Sequence, residues 1–223
     1  MTTFPRGVYA ILDTDRLGWP DADTLARHLV TLAAYAQAAI DHGAVAIQLR
    51  AKGIPLGHAV RAEAVGLLCD LGGPVPILVN DDVAVAAGRG GLHLGQGDGD
   101  VQAARRMLGP DRLLGLSTHT LAQVLAAAGL PVDYLGFGPI RATTGKRDHD
   151  ATTGLDGLRQ AVAVAAHPLV AIGGLELADL APVRDAGAHA AAVIGAWLGP
   201  VGATRTPHDA GLALGRLVGA WRR

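Results

Sequence analysis

The chain has 223 residues, half of them apolar, with 31 Gly, 12 Pro and an aromatic share of only 4%. That length fits one large α/β domain, and the apolar content, mostly Ala, Val, Leu and Ile, excludes disorder and collagen and suits short buried strands wrapped by Ala-rich helices. Lys plus Arg number 19 against 20 Asp plus Glu, a formal net charge of −1, so the cationic field that a nucleic-acid partner requires is missing.

Cys69 is the single cysteine. It rules out a disulfide framework and a cysteine zinc cluster, and it fits a reducing cytoplasm. No run of about 18 apolar residues occurs, and the N-terminus carries Arg6 without a long apolar run before Asp13. Neither a membrane span nor a secretion signal is expected.

Taken in chain order, short apolar runs alternate with longer stretches in which polar residues recur at helical spacing. Predicted strands cover Gly7–Asp13, Ala44–Arg50, Val75–Asn80, Gly91–Gly95, Arg112–Ser117, Asp133–Gly138, Leu169–Gly173 and Ala190–Gly195. Predicted helices follow each of them: Asp23–His42, Leu56–Leu71, Asp81–Gly88, Asp100–Leu108, Thr120–Ala128, Leu155–Ala166, Glu176–Ala186 and Pro207–Trp221. Gly43, Gly88, Gly129 and Gly187 mark helix stops, where the left-handed conformation is cheap. Eight strand-then-helix units without a long linker describe a single domain over residues 1–223, an α/β TIM (β/α)8 barrel, with an open doubly wound sheet as the competing architecture.

In such a barrel, ligands collect at the C-terminal ends of the strands. Alternation along Ala46-Ile47-Gln48-Leu49-Arg50-Ala51-Lys52 sends Gln48, Arg50 and, if extension persists, Lys52 to one face. Arg50 and Lys52 suit phosphate or diphosphate oxygens, with a solvated strand end as the plainer account. Asn80-Asp81 and Gln96-Gly97-Asp98 end the next two strands. Two acids would repel a phosphate unless Mg²⁺ lies between them, so Asp81 and Asp98 read as a metal pair; helix capping is the other reading of Asp81.

Ser117-Thr118-His119-Thr120 places a substrate-bonding hydroxyl at Ser117, a cap at Thr120, and at His119 either a proton carrier or an ordinary loop histidine. His93, between Leu92 and Leu94, reads as a hydrogen-bonded interior residue. Arg141 to Arg147 form a cationic loop resembling an anion-binding lid, and Gly173-Gly174 and Gly195 end the last strands where barrel enzymes bind phosphate on backbone N–H groups.

The ordered set Tyr9-Ala10-Ile11 with Asp13, Gln48-Leu49-Arg50 with Lys52, Leu78-Val79-Asn80-Asp81, Gly91 to Gln96 with Asp98, Ser117 to Thr120, Asp133 to Gly136 with Gly138-Pro139-Ile140, Thr143 with Lys146, and Ala171-Ile172-Gly173-Gly174 resembles the thiamine phosphate synthase family, with its relative the thiazole tautomerase. The resemblance implies a transferase that joins hydroxymethylpyrimidine diphosphate to hydroxyethylthiazole phosphate. In that chemistry the diphosphate largely departs before the thiazole nitrogen attacks. Arg50, Lys52, Lys146 and Mg²⁺ on Asp81 and Asp98 would stabilise the leaving group. Gln48, Asn80 and Ser117 would position the pyrimidine and its diphosphate, and Thr143 with the backbone at Gly174 and Gly195 would hold the thiazole phosphate. The implied partners are these small molecules, with a homo-oligomer left open.

The chain departs from the family pattern at Ala51, Asp82, the Thr143-Thr144-Gly145-Lys146 lid and Gly195. Arg141 or a shifted Thr144 would then replace missing phosphate-binding hydroxyls. The competing activities are a tautomerase using His119 and a non-catalytic binder of thiamine precursors. Trp197 and Trp221 are expected to be buried against the barrel rather than spent on an interface.

Overall fold

Eight parallel strands pair in chain order and close on themselves, β8 lying against β1, in a computed structural model that describes residues 3–142 and 151–223. The strands are β1 (Gly7–Asp13), β2 (Ala46–Arg50), β3 (Ile77–Asn80), β4 (Gly91–Leu94), β5 (Leu114–Thr118), β6 (Tyr134–Phe137), β7 (Leu169–Ala171) and β8 (Ala190–Val193). Closure excludes the open doubly wound sheet, and most strands are one or two residues shorter than the apolar runs that announce them.

Helices α1 (Ala22–Arg27) and α2 (Leu29–Asp41) follow β1; α3 (Ala59–Gly72), α4 (Val83–Gly88), α5 (Val101–Leu108) and α6 (Leu121–Ala126) follow β2 to β5. Beyond β6 come α7 (Gly154–Val164), α8 (Leu180–Asp185), the short α9 (Gly195–Leu198) and α10 (Pro207–Arg222). The first predicted helix is thus two helices. His28 leaves helical geometry at φ −110° and ψ 13°, while its Nδ1 bonds the Thr24 carbonyl and its ring stacks on Trp19. The second starts three residues late, at Ala59, because the His58 side chain caps it by accepting from Val60 N–H. The α9 turn has no counterpart among the predicted helices.

Alternation along the strands separates two apolar layers. Tyr9, Ile11, Ala46, Leu78, Tyr134, Val170, Ala190 and Ala192 fill the barrel interior with Phe4 and Leu113, whereas Val8, Ala10, Leu12, Ile47, Leu49 and Val79 face the surrounding helices. Phe4 closes the N-terminal end, its ring 4.2 Å from that of Tyr134. Trp197 and Trp221 belong to the outer layer and are 0% and 6% exposed, as expected from the sequence. Among the described residues, no helix is long and apolar enough to cross a membrane.

Candidate active site

The inward-facing positions of β1 and β2 become polar at their C-terminal ends. Asp13 stands opposite Arg50 in the β1–β2 register, and Arg50 Nη1 donates to Asp13 Oδ2 at 2.5 Å. One residue beyond Ala51, in the turn after β2, Lys52 reaches across to the ends of β3 and β4. Its Nζ is in direct contact with Asp81 Oδ2 and lies 4.0 Å from Asp98 Oδ2. Extension therefore stops at Arg50, yet the Lys52 ammonium still joins the mouth because its flexible stem spans the gap.

Asp81 occupies the left-handed region at φ 64°, the one non-glycine residue to do so among those described. Its N–H donates to the His93 carbonyl at 3.0 Å and its Oδ1 accepts from Asn80 Nδ2 at 2.5 Å. Asp81 does not cap the following helix: that task falls to Asp82, which accepts from Val85 N–H. Asp82 Oδ2 also accepts from Gly57 N–H at 2.7 Å and meets the Arg61 guanidinium at 3.5 Å. Arg61, 4% exposed, in turn donates to the Ala51 and Ile54 carbonyls. This buried pair ties the turn that carries Lys52 to the end of β3.

Burial pushes the Asp81 carboxyl above the usual carboxylate range, and the neighbouring Asp98 adds to the rise while Lys52 opposes it. At Asp98, burial also pushes upward. The bond with Asp81, the Lys52 charge and the Gly95 N–H outweigh it, leaving Asp98 below its ordinary value.

Gln48 and Ser117, on strands β2 and β5, are connected through the barrel interior. Gln48 Nε2 donates to Tyr9 Oη at 2.7 Å, and Tyr9 Oη lies 3.4 Å from Tyr134 Oη. His93 bonds Tyr134 Oη through Nδ1 at 2.8 Å and Ser117 Oγ through Nε2 at 2.9 Å. His93 is therefore the hydrogen-bonded interior residue that its flanking leucines suggested. His119 Nδ1 donates to the Gly138 carbonyl at 2.7 Å, joining the β5 turn to the end of β6.

On the opposite side of the rim, Gly174 has φ +65° and a Cβ there would stand 2.5 Å from the Ala142 carbonyl, so only glycine lets the segment after β6 lie against it. Arg141 is pinned to Asp179 by two bonds of 3.0 and 2.8 Å. Arg16 lies over Gly195 instead: a Cβ at Gly195 would be 3.1 Å from Arg16 Nη1, which donates to the Gly199 carbonyl at 2.7 Å. The lid residues Thr143, Thr144 and Lys146 lie outside the described residues.

The thiamine monophosphate synthase family profile matches residues 23–197 of the chain. This chain belongs to the thiamine monophosphate synthase family. It is 39% identical over 207 residues to the thiamine-phosphate synthase of Chlamydia caviae, covering 91% of this chain and 90% of that one. It is 42% identical over 194 residues to the thiamine-phosphate synthase of Albidiferax ferrireducens, covering 85% and 86%. The solved thiamine phosphate pyrophosphorylase of Pyrococcus furiosus superposes with a TM-score of 0.71 at 26% identity, covering 95% of this chain and 96% of that one.

Asp81 and Asp98 are the carboxylates at the mouth that could hold a divalent cation. Two carboxylates converge on a single cationic point, Lys52 Nζ. Among the described residues, no group of three or more His, Cys, Asp or Glu could hold a metal by itself.

Several members of this site carry little signal of their role in the sequence. Tyr9 and Tyr134 look like ordinary core aromatics until the barrel places them between Gln48 and His93. Arg16 and the Arg61–Asp82 pair carry no motif; the only signal was the second aspartate in Asn80-Asp81-Asp82.

Proposed function

We propose that this chain is a Mg²⁺-dependent thiamine-phosphate synthase, joining hydroxymethylpyrimidine diphosphate to hydroxyethylthiazole phosphate with release of diphosphate. The observation that carries this reading is the meeting of Lys52, Asp81 and Asp98 at the ends of β2, β3 and β4, with Arg50 two residues before Lys52 as the last residue of β2. A proton-shifting isomerase needs no such set.

The bond that breaks joins the pyrimidine methylene carbon to a diphosphate oxygen, and the bond that forms joins that carbon to the thiazole nitrogen. Charge separation dominates the barrier, so preorganised charge is the main catalytic resource. Asp81 and Asp98 would hold the metal, which neutralises diphosphate charge when bound. Arg50, Lys52 and Lys146 would bind the departing oxygens. Asn80 fixes the Asp81 carboxylate through its amide, while Gln48 and Ser117 orient the pyrimidine. Thr143, Thr144 and the backbone at Gly174 and Gly195 would hold the thiazole phosphate.

Purified protein with both precursors and Mg²⁺ is expected to release diphosphate and form thiamine phosphate, and neither product should accumulate with one precursor alone. Conversion of a thiazole tautomer without diphosphate release would instead identify an isomerase, and binding of both precursors without turnover a non-catalytic binder.

A further inference from the structure

Four hydrogen bonds lead from Gln48 to Ser117 through three side chains to which the proposed reaction gives no role. Their direction follows from donor and acceptor chemistry. An amide nitrogen only donates, so the Tyr9 oxygen accepts from Gln48; Tyr9 is buried, and Tyr134 Oη at 3.4 Å is the acceptor within reach of its own hydrogen, so that hydrogen points at Tyr134. Tyr134 accepts that proton and turns its hydroxyl hydrogen on His93 Nδ1. A neutral imidazole accepting at Nδ1 carries its hydrogen at Nε2, so His93 donates to Ser117 Oγ. The Ser117 hydroxyl, already an acceptor, has its hydrogen left to give.

We propose that Tyr9, Tyr134 and His93 are positioning residues that hold the Ser117 hydroxyl as a hydrogen-bond donor at the barrel mouth, so that this position selects a heterocycle presenting a ring-nitrogen acceptor. The barrel is built around this chain of bonds. Gly115 faces Tyr134 across the β5–β6 register, and a Cβ at Gly115 would stand 2.2 Å from Tyr134 Cζ. A Cβ at Gly136 would stand 3.2 Å from His93 Cε1. Two glycines therefore clear the path that lets a β6 phenol reach a β4 imidazole. Tyr9, Tyr134 and Gln48 are 2%, 0% and 3% exposed, so water does not compete for the two links among them, while His93 and Ser117 are half-buried at the mouth end.

The inference rests on the synthase reading, in which Ser117 meets the pyrimidine, but its first test does not. Nitrogen-15 NMR of His93 in the wild-type protein should show hydrogen on Nε2 and none on Nδ1. Tyr134→Phe removes the donor to Nδ1 and should produce a mixture of tautomers. With it we expect about a tenfold rise in KM for hydroxymethylpyrimidine diphosphate, while KM for the thiazole phosphate stays within about twofold. Tyr9→Phe breaks the chain further from Ser117 and should move the same KM in the same direction. If Tyr134→Phe does not fold, that second variant carries the kinetic test.

His93→Gln, with one acceptor and one donor on a side chain of similar reach, should retain more pyrimidine affinity than His93→Leu. Hydrogen on Nδ1 in the wild type overturns the proposal. So does an unchanged pyrimidine KM in folded Tyr134→Phe, or in Tyr9→Phe if that is the variant that folds. Failure of the wild type to make thiamine phosphate would defeat the synthase reading, and the tautomer would still decide the direction of the bonds.

Discussion

At the scale of single residues, Asp81 is held against two of its own preferences. Its backbone sits at φ 64°, a region that costs most side chains about 1–2 kcal/mol and asparagine and aspartate less. Burial raises its carboxyl pKa. A carboxyl raised in the folded state binds protons that the unfolded chain has already released, so stability falls as pH climbs from the unfolded value of about 3.9 toward the folded one. Asp81→Asn removes the ionisation and keeps a residue tolerant of the left-handed region. It is expected to raise Tm by roughly 2–4 °C near neutral pH, equivalent to about 1 kcal/mol for a chain of this size. The gain should shrink toward pH 4 in thermal melts followed by circular dichroism, and a gain independent of pH would contradict the assigned cause. Turnover should fall about a hundred- to thousandfold in the same variant, as when one preorganised electrostatic partner is lost.

Among the elements, β5 and β6 show what a one-atom change in a barrel wall does. Gly115→Ala would drive a methyl into the Tyr134 ring, overpacking an interior with no slack, at a cost of about 1–3 kcal/mol. Combining it with Tyr134→Ala should make the glycine step nearly free, and a double-mutant cycle in urea would measure the coupling. The order of the elements was legible because buried parallel strands are short apolar runs and helices are long amphipathic ones. Their partners were not. Arg50 and Asp13 are 37 residues apart, and Tyr9 and Tyr134 are 125 apart; the first pairing exists only once β1 and β2 are in register, and the second only once the barrel has closed. Local chemistry leaves one choice open: capping is the alternative reading of Asp81, and the turn geometry gives the cap to Asp82.

For the whole molecule, the net charge of −1 turns out to be echoed at the mouth. Arg50 and Lys52 face Asp13, Asp81 and Asp98, leaving this cluster of described residues one negative charge in excess. An anion as dense as diphosphate should therefore bind poorly by itself and well with a divalent cation. Titration calorimetry with inorganic diphosphate is expected to show at least about tenfold tighter binding in Mg²⁺ than in chelator, and equal affinity in both would contradict the pairing of Asp81 and Asp98 around a metal. The pairing of Gly7 with Ala190 and of Ala10 with Val193 has a consequence for how the protein is made. On the ribosome, the strand synthesised first keeps an open edge until the last strand emerges. That edge is a template for mispairing with other nascent chains, and closing so distant a contact, rather than forming any helix, is expected to set the pace of folding.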